Sequence, residues 1–342
     1  MCHPVNVTHN MNERGAIIII VLLVLAVLSF LSIELSKETL IDRVGVAYIK
    51  SSFSGAALCD SGMVLAKQVL LDDAVESESD NLHEEWANFA TYVKPTSQEL
   101  SSGTITGSII DENSRFPINK IRQVSKSDVV SARQYQAIFY RMLVRLCEDL
   151  NIEADPSSYI ESIRYWMGEQ IESAQDDDAW YLERDVQYLR PYSSLRTPQE
   201  LLLIRWDGSK EGDVERLYYG TDKVAGLRDL ITVWGEGPIN MNTVRTEVAR
   251  AIPIQENQQN DFAAAVLAYQ TEPENYFADK WYVGLLQYLG VNVSNMPTRC
   301  MTTTSNIFAI QLEVAAGSGQ RRECTIVRRT SNKLYPIFSY AN

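Results

Sequence analysis

Residues 10–33 read NMNERGAIIIIVLLVLAVLSFLSI, and this stretch sets the architecture of the chain. From Ala16 to Ile33 every residue is apolar except Ser29 and Ser32. The run is about as long as the shortest helices that cross a bilayer, which need roughly 17 to 25 residues. Charged residues and a single glycine, Gly15, lie directly before it. We therefore expect a membrane-spanning helix at this position.

The apolar run differs from an ordinary secretory signal. Such a signal has an apolar core of about 7 to 15 residues and ends in a small-residue cleavage site. Here the core is longer, no such site follows, and apolar residues recur at helical spacing further along the chain. They are Ile33, Leu40, Ile41, Val44, Tyr48 and Ile49. The pattern predicts a helix that continues beyond the bilayer.

Composition excludes several classes of function. The 342 residues leave room for two domains beyond the anchor. The formal net charge of -13 argues against a nucleic-acid partner and against docking on anionic lipid, because both are bound mainly through Lys and Arg. Beyond the anchor the chain carries one histidine, His83, which we interpret as an exposed helix residue. No H-E-x-x-H, G-x-S-x-G or Walker motif is present, so the sequence predicts a protein without enzymatic activity.

The five cysteines are Cys2, Cys59, Cys147, Cys300 and Cys324. Cys300 and Cys324 flank a predicted hairpin, and either a disulfide or two reduced thiols is compatible with the sequence. Cys59 and Cys147 fall on predicted helices among apolar neighbours, where buried free thiols are expected. No C-x-x-C occurs, so a zinc site is not expected.

Strand patterns lie at both ends of the globular part. Residues 104–110 are rich in Thr and Ile, and the segment from 307 to 328 contains two alternating runs around a Gly-Ser-Gly turn. Between them the apolar spacing is helical. We predict an α+β fold in which a long N-terminal transmembrane helix packs on a small antiparallel sheet. A large all-helical domain is inserted between the first strand and the C-terminal hairpin.

Five features together resemble a known family. A glycine preceded by charge and followed by an apolar helix resembles the type IV prepilin class of signals. Four later segments resemble, in order, motifs of the minor pseudopilin K family of type II secretion systems. They are DENSRFPINKI at 111–121, RPYSSLRTPQELLLIRW at 190–206, LRDLITVWGEGPINMNTV at 227–244 and SNIFAIQLEVAAGSGQRRECTIVRR at 305–329.

The resemblance implies how the chain is processed and divided. Prepilin peptidase would cut between Gly15 and Ala16, whether translation starts at Met1 or Met11. The fifth mature position, usually glutamate in such signals, is Ile20, and the K family characteristically lacks that glutamate. The implied segments are a leader at 1–15, a transmembrane segment at 16–33, an amphipathic helix with the first strand at 34–116, the inserted helical domain at 117–298 and the C-terminal hairpin at 299–342.

The resemblance also implies a place in the cell. The protein would be a single-pass protein of the bacterial inner membrane with its globular part in the periplasm. At the tip of the pseudopilus it would join the minor pseudopilins I and J, then H, and contact the inner-membrane secretion platform, supporting export of folded proteins. Three alternatives stay open: a minor pilin of a type IV pilus, a plain signal anchor with an incidental Gly15, and a signal-anchored periplasmic enzyme using Asp111, Glu112 and residues 176–178.

Two further segments allow more than one interpretation. ESAQDDDAW at 172–180 concentrates carboxylates, which suit a hard cation such as Ca²⁺, and the resemblance implies calcium in the periplasmic domain. Asp176, Asp177 and Asp178 are the candidate ligands, with a solvated acidic loop as the alternative. VWGEGPINMN at 233–242 resembles half of a helix-hairpin-helix, but a turn followed by an asparagine cap at Asn240 or Asn242 is favoured.

Overall fold

A computed structural model describes residues 11–93, 103–174, 177–235, 237–292, 297–317 and 319–341. The helices are α1 Met11–Glu76, α2 Val129–Asp149, α3 Pro156–Trp166, α4 Asp177–Leu182, α5 Asp213–Tyr219, α6 Leu227–Leu230, α7 Thr246–Arg250, α8 Glu256–Thr271 and α9 Trp281–Tyr288. The strands are β1 Thr104–Asp111, β2 Phe116–Pro117, β3 Ile231–Thr232, β4 Ile239–Asn240, β5 Met301–Thr302, β6 Ile307–Ala316, β7 Gly319–Thr330 and β8 Lys333–Ala341.

Helix α1 is 66 residues long and contains no proline. Its first part is exposed on all sides, and buried positions begin only in its second half, after Ser51. The predicted continuation of the helix beyond the apolar run is confirmed. One helix thus carries two different surfaces, an unburied apolar one and one that packs on the globular part.

The main sheet has four antiparallel strands in the order β1-β6-β7-β8. Strand β1 pairs with β6 although about 200 residues separate them, with Ile109 opposite Ile310. Strands β6 and β7 form the predicted hairpin, and Gly317 in its turn has a φ of 58°, which favours glycine. The expected α+β fold is confirmed, and β8 adds an edge strand that the sequence pattern did not predict.

The second half of α1 packs on one face of this sheet. Alternate residues of β6 point to the same face and are buried there, together with Ile105 and Ile109 of β1. Helix α1 contributes the complementary apolar residues Leu58, Cys59, Met63, Ala66, Val69 and Leu70. This layer is the core of the pilin-like part of the chain.

Gly62 allows α1 to approach the sheet closely. A Cβ built at Gly62 would lie 2.4 Å from Ile105 Cδ1 and 3.3 Å from both terminal methyls of Leu312. We expect Gly62→Leu to lower the free energy of unfolding by about 1–3 kcal/mol, because the added side chain overpacks this layer. Gly45→Leu on the same helix is the matched control, since nothing lies within 4 Å of its Cβ position. Equal melting temperatures for the two variants in detergent would contradict this packing.

The segment between β1 and β6 has its own core. Helices α2 and α3 pack together through residues that include Ile138, Phe139, Leu143 and Ile163, and Phe116 stacks on Phe139 at 5.1 Å between ring centroids. This segment is mainly helical but not all-helical as predicted. The two-residue strands β2 and β3 pair in parallel, as do β4 and β5. Runs of two residues are too short to produce a recognisable alternation.

Two helix starts carry side-chain caps, and one predicted cap was wrong. Asp155 caps α3 through Ser157 N, with Pro156 at the first position. Thr197 and Glu200 form a capping box, although the turn that follows is a 3₁₀ helix. Asn242 caps no helix: α7 begins at Thr246, and Asn242 is fully buried.

Of the two alternatives left open for Cys300 and Cys324, the structure has two free thiols. Cys300 lies in the core of the inserted segment, with its Sγ 3.7 Å from Gln134 Oε1. Cys324 lies in a separate cluster, on the sheet face opposite α1. Burial raises the pKa of both thiols. Cys59 and Cys147 are buried free thiols, as expected.

Candidate functional site

The apolar part of α1 is the most conspicuous surface of the molecule. Every large apolar residue from Ile17 to Ile33 is roughly half exposed or more. Within the described residues, α1 is the one helix long and apolar enough to cross a membrane. Ile20, the position that usually carries glutamate in prepilin signals, is 60% exposed. Gly15 and Ala16 lie within α1, and the side chain of Ala16 is outside the described part of the structure.

The exposed surface continues past the length of a bilayer. A second group of large apolar residues on α1 is more than 60% exposed. They are Leu35, Leu40, Ile41, Val44, Val46, Tyr48, Ile49 and Phe53. Glu34, Lys37, Glu38, Asp42 and Arg43 alternate with them, so this stretch is amphipathic in composition rather than uniformly apolar. Apolar residues that neither the fold nor a bilayer covers are typical of an interaction surface.

The contact between α1 and the sheet begins at Ser51. Its hydroxyl donates a hydrogen bond to the carbonyl of Ala316 at the end of β6. Gly55 then lies 3.9 Å, measured from a Cβ built on it, from Ala316 Cβ. Residues 17–50 therefore project from the globular part as a free helix. At a rise of 1.5 Å per residue this projection is about 50 Å long.

Of the three predicted cation ligands, only the carboxylate of Asp178 belongs to the described part of the structure. Asp176 lies outside the described residues, as does the side chain of Asp177. Asp178 forms an ion pair with Arg190, with 2.7 Å between Oδ1 and Nε. The same guanidinium lies 3.5 Å above the centre of the Tyr165 ring. The carboxylate of Asp178 is thus already neutralised by a side chain of this chain.

A different acidic group was not predicted from the sequence. Single carboxylate oxygens of Asp73, Asp80 and Glu84 lie within 4.8 Å of one another at the end of α1. The Arg329 guanidinium, itself buried, pairs with Asp73 at 2.5 Å and with Asp80. Burial and the neighbouring Glu84 raise the pKa of Asp73 to about 6, whereas Arg329 opposes the increase.

Glu84 is held by the chain around it. Ser77 Oγ, Asn81 Nδ2 and Trp86 Nε1 all donate hydrogen bonds to its carboxylate, at 2.7, 2.8 and 2.7 Å. Arg329 of β7 pairs with both Asp73 and Asp80, so the acidic group joins the end of α1 to β7. Its geometry supports a structural role for the three carboxylates.

Asp111 forms a second buried polar centre, where β1 ends and the inserted segment begins. Its Oδ2 accepts hydrogen bonds from Asn240 Nδ2, Thr243 Oγ1 and Ser305 Oγ, and its Oδ1 accepts one from Asn113 N at 2.7 Å. Complete burial raises the pKa of Asp111 to about 6, although these donors oppose the increase.

Three of the four segments that carry the family resemblance, 111–121, 227–244 and 305–329, meet at this centre. Asn113 donates to Pro238 O at 3.1 Å and accepts from Ile307 N at 3.2 Å. Asn242 donates to the carbonyls of Phe277 and Thr303. Each asparagine therefore fixes backbone that is distant in sequence. The motifs maintain the junction between the two parts of the chain.

Asp111 and Glu112, two carboxylates that the enzyme alternative would use, are both buried. Asp111 is buried and fully hydrogen bonded, and Glu112 is buried and paired with Arg115 at 3.0 Å. Neither carboxylate faces solvent. His83 is exposed in a turn rather than in the predicted helix, and its Nε2 contacts Gln270 O at 2.7 Å.

Comparisons with known proteins agree with this architecture. No family model matches the chain, and no curated protein matches its sequence. Among solved structures it is similar to a chain of the GspK-GspI-GspJ complex from the enterotoxigenic Escherichia coli Type 2 Secretion System, with a TM-score of 0.62 and 15% sequence identity. The similarity covers 88% of this chain and 98% of that one.

The fold is thus a pilin-like α+β fold with a mainly helical insertion. A solved component of a type II secretion pseudopilin complex shares it over almost its entire length. The expected resemblance to pseudopilin K is thereby confirmed at the level of fold.

Proposed function

We propose that this protein is a non-enzymatic minor pseudopilin of a type II secretion system. The observation that carries the proposal is the fold shared with a chain of the GspK-GspI-GspJ complex, combined with the unburied apolar first half of α1. That helix anchors the chain in the bacterial inner membrane before assembly, with the globular part in the periplasm. After assembly the same apolar residues pack against the helices of neighbouring subunits.

The proposal includes processing by prepilin peptidase between Gly15 and Ala16. Removal of residues 1–15 would place the new amino terminus directly before the apolar run, with Ile20 as the fifth residue. In the major subunits, a glutamate at this position is thought to pair with the amino terminus of an adjacent subunit. Ile20 offers no carboxylate for such a pair, so the protein belongs at the tip, where no subunit lies above it.

The proposed partners are the minor pseudopilins I and J, followed by H and the inner-membrane platform. The surface offered to I and J is residues 34–53 of α1, where charged and exposed apolar residues alternate. This part of the helix lies beyond the bilayer and before the contact with the sheet. A neighbouring amphipathic helix would cover it.

The proposed partner surface is tested by polar substitution on α1. We expect the double variant Ile41→Asn, Tyr48→Asn to lower recovery of I and J with the tagged protein at least ten-fold, because two exposed apolar anchors are lost. Val64→Asn is the control: Val64 is 68% exposed on the packed half of the same helix. Recovery of I and J at the wild-type level with the double variant would contradict the proposed surface.

The role of Ile20 is tested by Ile20→Glu. We expect cleavage to proceed as in the wild type, and the variant to lose its preference for the tip because it can now pair with a subunit above it. Ile20→Leu serves as the control. Immunogold labelling of overproduced pseudopili measures the position of each variant. Labelling confined to the tip for both variants would show that the missing carboxylate is irrelevant.

Calcium binding at Asp176, Asp177 and Asp178 stays a proposal. The ion pair between Asp178 and Arg190 competes with a cation for one of the three carboxylates. Titration of the full chain with Ca²⁺ in detergent, with melting temperature as readout, tests it. A rise that the triple Asp→Asn variant abolishes supports the site, and no rise up to millimolar Ca²⁺ removes it.

A further inference from the structure

A small cavity of about 140 Å³ lies in the inserted segment, remote from α1 and the main sheet. Helix α2 forms one wall, the end of α7 forms another, and the loop at residues 223–225 closes a third side. Four cationic side chains and two carboxylates line it. The cations are Arg141, Arg145, Lys223 and Arg250, and the carboxylates are Asp149 and Glu247.

This charge balance is unusual for the protein. The whole chain carries a formal net charge of -13, yet cations outnumber carboxylates by two to one around this cavity. Arg141 and Arg145 are four residues apart and therefore lie on the same face of α2. A fixed helix face thus presents two guanidinium groups to one small space.

The position of Arg141 is determined by backbone contacts. Its Nε donates to Ala251 O at 2.7 Å and its Nη2 donates to Ile252 O at 3.0 Å, directly after α7. These bonds join α2 to the wall that carries Arg250. The two walls are therefore held at a constant separation, and the cavity does not need to be formed when a ligand arrives.

The neighbouring guanidinium groups are incompletely satisfied. Arg145 Nε and Arg250 Nε have no hydrogen-bond partner among the described residues, but protein atoms alone cover both, so a ligand would have to bind the terminal nitrogens of these guanidinium groups. The carboxylates nearest to Arg145 are Glu148 and Asp149, at 3.7 and 3.9 Å, beyond hydrogen-bonding distance.

We propose that this cavity binds a phosphate group. Two guanidinium groups with unused donors, a fixed third one and an adjacent lysine suit a tetrahedral dianion, whose oxygens accept several charge-assisted hydrogen bonds at once. A single carboxylate would be satisfied by one arginine and would leave the other cations without a partner. Asp149 and Glu247 weaken binding of any anion and limit the site to one with at least two charges.

The test uses the full chain in a non-ionic detergent and inorganic phosphate as the probe. Ionic strength is held constant with sodium chloride, and calorimetric titration and thermal unfolding are both recorded. Phosphate is expected to bind at one site and to raise the melting temperature in proportion to its saturation. Sodium acetate at the same ionic strength is expected to have no such effect.

Three variants locate the site. The double variant Arg145→Gln, Arg250→Gln is expected to weaken phosphate binding at least ten-fold. Lys223→Gln should weaken phosphate binding several-fold. Because Lys223 is exposed in a loop, this substitution does not disturb the core, and it replaces the double variant as the test if the double variant does not fold. Arg133→Gln, an exposed position on the same α2, is the matched control and should bind as the wild type does.

The outcomes are distinguishable. If the wild type shows no saturable phosphate binding, the proposal is wrong. It is also wrong if the Lys223→Gln variant and the double variant both bind phosphate as tightly as the wild type does. A parallel titration with glycerol 3-phosphate identifies the source of the group. If the ester also binds, the site accepts the terminal phosphate of a larger molecule, and if it does not, the site is specific for the free anion.

Discussion

Arg329→Leu is expected to lower the free energy of unfolding by about 3–5 kcal/mol, because it leaves Asp73 and Asp80 buried without their partner. The guanidinium of Arg329 is 8% exposed and lies over the Phe308 ring as well, so its removal also opens a gap beside the core. Urea titration of the full chain in detergent, followed by tryptophan fluorescence, measures the effect.

A matched control is present on the same strand. Arg322 of β7 pairs with Glu313 at 3.0 Å, but its side chain is 70% exposed. Exposed pairs contribute about 0–1 kcal/mol, so Arg322→Leu should be nearly neutral. If the two variants lose similar stability, then Arg329 is not the partner that compensates the acidic group at the end of α1.

The buried Asp111 predicts how stability depends on pH. Its pKa rises from 3.8 in the unfolded chain to about 6 in the folded one, mainly through burial. The folded state then binds the proton more tightly, so its contribution to stability is complete below pH 4 and is lost as pH rises towards 6. A shift of this size corresponds to about 3 kcal/mol.

Asp111→Asn isolates this contribution, because the amide does not titrate. The stability of the wild type relative to this variant is expected to fall by about 2–3 kcal/mol between pH 4 and pH 7. Asp72→Asn is the control, since Asp72 is exposed on α1. A difference between wild type and Asp111→Asn that is independent of pH would contradict the assignment.

The elements whose formation depends on neighbouring residues were predicted from the sequence. The long helix follows from an uninterrupted apolar run and helical spacing, and the β6-β7 hairpin follows from alternation around a Gly-Ser-Gly turn. Strand β8 was missed because its side chains are nearly all exposed and Pro336 interrupts it next to a register shift. An edge strand with little buried surface lacks the alternation that identifies a strand.

Contacts between distant residues could not be predicted. Asp111 bonds to Asn240 and Ser305, which are 129 and 194 residues away in sequence. The acidic group pairs with Arg329 across about 250 residues. Sequence proximity also could not decide between the two alternatives for Cys300 and Cys324, because a short separation along the chain does not prevent the two thiols from entering different cores.

The measurement that tests the proposed function most directly is the mass of the mature protein from cells with and without prepilin peptidase, together with its amino-terminal residue. The proposal predicts a chain that begins at Ala16, with its amino group methylated, only in cells that contain the peptidase. Gly15→Leu should prevent the cut in the same cells. A leader that persists in both strains would contradict the proposal and would make the segment an ordinary membrane anchor.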